Sequence, residues 1–329
     1  MKKQDSSPIH IAFISDNNYV IPTCVAITSI IESKDPSTRL CIHVVCASLS
    51  DNSKDIFYSF NTDMVEVDII VQDADRFSRL HKTVKCNASQ AALLKFVLPE
   101  LLPDLDRVLY LDGDILVRGD LTELYNTELK DNYVAAVLNT FTFYRKHSSF
   151  EEEVENYFNS GVMVLNLRLM RENNITERLL ETKSKLKWVL MDQIAFNIVF
   201  DKRVSLLPVR YNYQILSLPK EKVDREIRIL NKHFGTRYAN LEELHSDAVI
   251  VHFAHNNKPW RTLTAPLFEE WYLTYLRIPG REKLPPLSEL CENQLVTSID
   301  KIKKSRSYRV GRFITWLPRV IYRSLSCLR

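Results

Sequence analysis

Residues 107–121 read RVLYLDGDILVRGDL, with Asp112 and Asp114 one residue apart at the end of an apolar run. In extended chain, residues i and i+2 project to the same side, so the two carboxylates converge. Converging carboxylates repel, and a divalent cation is the usual relief. The same letters have a plainer reading, because an Asp-Gly step between two apolar runs is a strong signal for a tight hairpin turn. These residues alone leave hairpin and metal site both open. Other polar clusters also end or interrupt apolar runs: SDNNY at 15–19, FNSG at 158–161 and HFAHNNKPW at 252–260. In LMDQIAFN, Asp192 and Gln193 stand where an apolar, helix-like run begins.

The elements that would carry these clusters follow from periodicity. IHIAFIS (9–15) reads as a buried strand, DNNY as a polar turn and VIPTCVAITSIIES (20–33) as a helix. LCIHVVCAS and VEVDIIVQ read as strands on either side of a short helix, and NASQAALLKFVLPELLP as a helix delivered into the strand RVLYL. NYVAAVLNT, GVMVLNL, VSLLPVRYN and AVIVHFA extend the strand list, while RENNITERLLETKSK, MDQIAFNIVF and APLFEEWYLTYLR read as helices. Alternating strands and helices predict an α/β fold with a mixed, mainly parallel sheet flanked by helices. Ligands in such sheets bind beyond the carboxyl ends of the strands, where both DNNY and DGD fall. The Pro-rich stretch IPGREKLPPLSE is the expected linker, dividing a catalytic domain at 8–277 from a C-terminal segment at 278–329.

With 329 residues and 45% hydrophobic content the chain can bury a large core. Its net charge of +3 is unevenly placed. Nine of the 44 basic residues follow Asp300, itself the last of 41 acidic ones, leaving 35 basic against 40 acidic residues in the rest. A basic groove for nucleic acid across the fold is therefore not expected. The basic appendage, 301–329, interleaves its charges with Tyr308, Phe313, Trp316, Ile321 and Tyr322, a pattern suited to lying on an anionic lipid surface. Pro318 predicts two short pieces in place of one helix. The six cysteines form no CxxC pair, as expected of reduced thiols in a cytosolic protein. The apolar stretch near the start is too short for a signal sequence, and no apolar run reaches 18 residues, so a cytoplasmic protein touching the membrane peripherally is expected.

Taken in order, the clusters SDNNY, LDGD, FNSG, LMDQIAFN and HFAHNNKPW resemble those of the family 8 glycosyltransferases, over about residues 9–275. The resemblance implies a GT-A type, Rossmann-like fold and a retaining hexosyl transfer from UDP-glucose or UDP-galactose. The implied acceptor is lipid-linked oligosaccharide or another glycan, most naturally the lipopolysaccharide core. It implies a DxD site in which Asp112, Asp114 and His252 hold Mn²⁺, with Mg²⁺ as the alternative. A lone histidine on an apolar strand is ordinarily a core residue; the matched motif argues otherwise. The resemblance also assigns donor contacts to Asp16, Asn18, Tyr19, Asp112, Gly113, Asn159, His255 and Lys258, and puts Asp192 and Gln193 nearest the reacting carbon. Taken bare, Lys258 is a surface lysine, DNNY a polar turn and Asp192 a helix-start residue.

Three positions depart from the family pattern. Leu93 stands where an arginine is expected in the helix before the DxD strand, Asn139 replaces an acidic residue, and His255 replaces a glycine after the histidine ligand. These departures keep in view a nucleotide-sugar binding protein without turnover; within the enzyme class the alternative is a protein- or self-glycosylating transferase of glycogenin type. Gln193 is an amide and a poor nucleophile, so the resemblance favours front-face substitution over a covalent intermediate, with Asp192 as the fallback nucleophile.

Overall fold

The computed structural model describes residues 7–72, 90–140, 156–186, 192–215, 220–254 and 257–284. Its centre is a seven-stranded sheet, ordered β3-β2-β1-β4-β7-β6-β8. The strands are β1 (Ile9–Ile14), β2 (Leu40–Cys46), β3 (Val65–Val71), β4 (Arg107–Leu111), β6 (Val134–Leu138), β7 (Phe158–Asn166) and β8 (Val204–Leu206). β1 runs parallel to β2 and β4, β2 to β3, and β6 to β8; β7 is antiparallel to both β4 and β6. Buried on both faces, β1, β4 and the second half of β7 read as near-continuous apolar runs. The chain order reverses beside β1, where β2 lies on one side and β4 on the other, and in open α/β sheets ligands bind beyond the carboxyl ends of the strands at such a point.

β5 (Ile115–Val117) follows the DGD turn but does not fold back on β4. It joins a second, three-stranded sheet with β10 (Ile250–His252) and β9 (Tyr213–Gln214), pairing antiparallel to β10. This excludes the hairpin reading of Asp112 and Gly113. The turn is the point at which the chain changes sheets.

Helix α1 (Val20–Ser33) packs on one sheet face, so tightly that a Cβ on Gly113 would lie 2.4 Å from Thr23 Oγ1. The opposite face is covered by a 3-10 segment (Gln90–Val97), the short α3 (Leu98–Leu101), α5 (Leu167–Glu172), α6 (Ile175–Lys185) and α7 (Gln193–Phe200), around Phe96, Phe158, Phe196 and Phe200. The expected single helix before β4 is thus split. Pro99 is tolerated in a first turn but would break a helix continuing through it. The remaining helices are α2 (Asp51–Tyr58), α4 (Thr122–Tyr125), α8 (Lys220–Phe234), α9 (Leu241–Asp247) and α10 (Phe268–Tyr275). The start of the expected linker is packed: Ile278 and Leu284 are buried, and Lys283 O accepts from Asn52 of α2. Residues 285–329 lie outside the described set. Among the described residues no helix is long and apolar enough to cross a membrane.

Between β1 and β2, His10 and His43 stack with ring centres 5.4 Å apart and His10 Nδ1 3.1 Å from His43 Nε2. Burial lowers both imidazoles below the ordinary histidine value of 6.5, outweighing the opposing pull of Glu66 on both and of Asp68 on His43. The unfolded chain therefore takes up protons that the fold refuses, so this contribution to stability is complete above 6.5 and is lost as pH falls below it. The urea midpoint should drop with acidification through this range, and His43→Gln should flatten the dependence; an unaltered slope in the variant would contradict the assignment.

Candidate active site

The site forms where the two sheets meet. Asp112 follows β4, its main-chain N–H donating to Gly161 O at 2.8 Å, and Asp114 precedes β5, its carbonyl accepting from Phe253 N at 2.9 Å. His252 ends β10 opposite Ile115. Among the described residues, Asp112, Asp114 and His252 each offer one ligand atom within 4.8 Å of the others. His252 Nε2 lies 3.2 Å from Asp114 Oδ1 and 3.8 Å from Asp112 Oδ2.

β7 supplies the floor. Its pairing with β6 slips register between Ala136 and Leu138, so Asn159, Ser160 and Gly161 leave the regular ladder, as irregularities beside functional sites often re-aim side chains. A Cβ on Gly161 would lie 2.3 Å from His252 Cε1 and 2.8 Å from Asp112 Oδ2. Any larger residue would fill the cradle. The donor set, two carboxylates and an imidazole over a position that excludes a methyl group, fits a divalent transition-type ion better than an all-oxygen cage.

Two lysines answer the carboxylates. Lys258 Nζ bonds Asp114 Oδ2 at 2.5 Å, is itself 8% exposed, and lies 5.7 Å from the Trp260 ring centre. Lys95, 5% exposed, bridges Asp192 at 2.6 Å and Asp112 at 3.0 Å. Burial opposes ionisation of Asp114 and Asp192, yet Lys258 and His252 for the first, and Lys95 and Ser160 for the second, hold both carboxyls below the usual range. Burial likewise opposes charge on Lys95, and Asp112 and Asp192 overcome it, raising its pKa. Three carboxylates face two ammonium groups here, so with His252 neutral the set carries one formal negative charge in excess, which favours a cation.

Gln193 Oε1 accepts from Ser160 N at 3.2 Å and from Asn159 Nδ2 at 3.1 Å, placing Gln193 beside Asp192 at the start of α7. Tyr19 packs edge-on against Trp260, with ring centres 5.9 Å apart, and burial followed by Asp114 and Asp112 raises its phenol pKa. Asp16 Oδ1 accepts from Asn18 N at 2.8 Å and Tyr19 N at 3.1 Å, so its carboxylate shapes its own turn; Asn18 is exposed. His255 lies outside the described residues. Asn139 is buried at the end of β6.

The expected loss of a cation on the segment before β4 needs correcting. Leu93 is a core residue, 1% exposed, but Lys95, two positions on, brings an ammonium into the site. The sequence reading missed Lys95, and also Tyr110, whose hydroxyl donates to Asp112 at 2.6 Å. Ser160, donating to Asp192 at 2.9 Å, and Asn212, 2.9 Å from His252 Nδ1, were missed too. A lone lysine inside the apolar run LLKFVL was the available signal for the first.

The chain belongs to glycosyl transferase family 8, whose sequence profile matches residues 10–264. It is 28% identical over 273 residues to lipopolysaccharide 1,2-glucosyltransferase of Escherichia coli, covering 79% of this chain and 75% of that one. It is 26% identical over 276 residues to general stress protein A of Bacillus subtilis, covering 82% and 93% respectively. It is 25% identical over 280 residues to lipopolysaccharide 1,3-galactosyltransferase of Salmonella typhimurium, covering 82% and 78%. The fold is similar to that of the galactosyltransferase LgtC, solved with donor and acceptor sugar analogs, at a TM-score of 0.67 and 24% identity over 84% of this chain and all of the other.

Proposed function

We propose that this glycosyltransferase moves glucose or galactose from a UDP-sugar to a glycan hydroxyl with retention at the anomeric carbon, the acceptor being lipopolysaccharide core or a related bacterial surface glycan. The observation that carries the reading is the convergence of Asp112, Asp114 and His252 over Gly161, beside Gln193 and at the carboxyl end of β4, next to β1 in the sheet. Those three residues would hold Mn²⁺, or Mg²⁺, which when bound supplies Lewis-acid stabilisation of the departing diphosphate.

The protein's own groups do the rest. Lys258 sets a second positive charge beside Asp114, where it can meet a diphosphate oxygen. Tyr19 and Trp260 form an aromatic wall for the nucleotide. As the anomeric carbon–phosphate oxygen bond breaks, its electron pair stays with UDP, and the acceptor oxygen bonds the same face of the carbon while its proton passes to the phosphate oxygen. Two features favour this front-face course. Gln193 Oε1 already accepts two hydrogen bonds, and Asp192 is tied to Lys95 and Ser160, so neither is free to attack. Attachment to an anionic membrane through 301–329 belongs to the same proposal and rests on the composition of that segment.

Radiolabelled UDP-glucose and UDP-galactose with core-truncated lipopolysaccharide should yield labelled glycolipid. Label on the protein itself would replace this reading with a glycogenin-like one, and donor binding without any transfer or hydrolysis would replace it with a binding protein. Gly161→Ala should lower transfer on the order of 10²-fold with the fold retained, because the new methyl must displace His252 or Asp112. An unchanged rate would show that the floor is not needed.

A further inference from the structure

We propose that Asn212 is a positioning residue that, through a directed chain of hydrogen bonds, holds His252 with its proton on Nδ1 and leaves Nε2 bare toward Asp112 and Asp114. The proposal rests on the reading of those three residues as the cation site. Asn212 is fully buried, after the 3-10 turn Val209–Tyr211 and before β9, whose Gln214 pairs with His252. Its carboxamide lies between His252 Nδ1, 2.9 Å from Asn212 Oδ1, and Asn159 Oδ1, 2.9 Å from Asn212 Nδ2.

An amide can be turned end for end and an imidazole can exchange tautomers, so the direction of such a chain has to be anchored by groups whose role is fixed. Two main-chain amides provide the anchors. Ser160 N–H donates to Gln193 at 3.2 Å and Gly161 N–H donates to Asn159 at 3.0 Å. A main-chain N–H can only donate, so the side-chain atoms that face them are the oxygens. Asn159 then turns its NH₂ to Gln193 Oε1, at 3.1 Å. Because Asn159 Oδ1 is an acceptor, Asn212 presents its own NH₂ there and its oxygen to His252. His252 Nδ1 therefore carries the hydrogen. Reversing either asparagine would set oxygen lone pairs or N–H groups against each other in a dry interior, which is costly.

The bare Nε2 then faces Asp114 Oδ1 and Asp112 Oδ2 at 3.2 and 3.8 Å, three electron-rich atoms around one point. Carbonyl partners on the far nitrogen of a metal-ligating histidine orient the ring and raise its basicity, and losing them typically weakens metal binding by roughly 10–100-fold. The same chain fixes Gln193, so the residues facing the cation and the sugar are set by one pair of main-chain amides on β7.

The test uses the full chain and two readouts that need no turnover. ¹⁵N-edited histidine NMR of metal-free protein, at a pH where the ring is neutral and with His252 assigned by comparison with His252→Gln, reports which ring nitrogen bears hydrogen. Water-proton relaxation reports Mn²⁺ binding. Wild type should show Nδ1–H; Asn212→Leu should lose that tautomer and bind Mn²⁺ roughly 10–100-fold more weakly. Asn212→Asp still accepts from Nδ1–H but sets an oxygen against Asn159 Oδ1, so it should keep the tautomer and bind Mn²⁺ with an affinity between those of wild type and Asn212→Leu. An Nε2–H wild-type histidine, unchanged Mn²⁺ affinity in Asn212→Leu, or equal weakening in both variants overturns the proposal. Should Asn212→Leu fail to fold, the wild-type spectrum alone decides. Wild type with Nδ1–H but no Mn²⁺ binding upholds the tautomer lock and overturns the cation reading.

Discussion

Asp114→Asn should reduce glycosyl transfer by roughly 10²–10³-fold, the scale on which a preorganised charge-stabilising group is removed, while the protein still folds, less stably because buried Lys258 loses its carboxylate partner. Asn keeps the shape of a side chain that is 7% exposed, and its amide oxygen can still accept from Lys258. The main-chain link from Phe253 N to the carbonyl of residue 114, at 2.9 Å, is untouched. What disappears is the negative charge that faces His252 and Lys258, and with it one of the three proposed cation ligands. Turnover and thermal melting measured together separate the effects; full activity with bound Mn²⁺ would show that Asp114 is not a ligand that matters.

Lys95→Met should cost about 3–5 kcal/mol of stability, the usual price of stranding a buried charge partner. Met matches the length of the side chain but leaves Asp112 and Asp192 facing each other without the ammonium that now lies 3.0 and 2.6 Å from them. Tyr110, whose ring centre is 4.7 Å from Lys95 Nζ, would lose its cation as well. Lys95→Arg should be far milder because the charge is kept. Adding Mn²⁺ should recover part of the loss through Asp112. Urea unfolding of the variants with and without Mn²⁺ gives all of these values; a loss under about 1 kcal/mol would show that the Lys95 ion pairs contribute no more than exposed ones do.

Much of this architecture was legible because apolar runs and their periods are local. β1, α1, β2, β3 and β4 fall where the spacing predicts them, and the DxD pair is visible at a strand end. The hairpin reading could not be excluded locally, since that depended on β5 pairing with β10 far along the chain. The same reason hides Lys95 and Asn212: each is an ordinary residue in its own stretch, and acquires a role only when Asp192 or His252 is folded against it. Helix α8 is different. Ile227 and Leu230 are buried three residues apart, and with Val223 and Phe234 they make a helical stripe that the letters already contained.

The most direct test of the account is UDP release from UDP-glucose and UDP-galactose by the full chain, stripped of metal and then restored with Mn²⁺. The account predicts release from at least one donor that is absent in chelator, returns with Mn²⁺ and is lost in Asp114→Asn. Release that proceeds equally in chelator, or donor that stays intact with Mn²⁺ and acceptor both present, would contradict it.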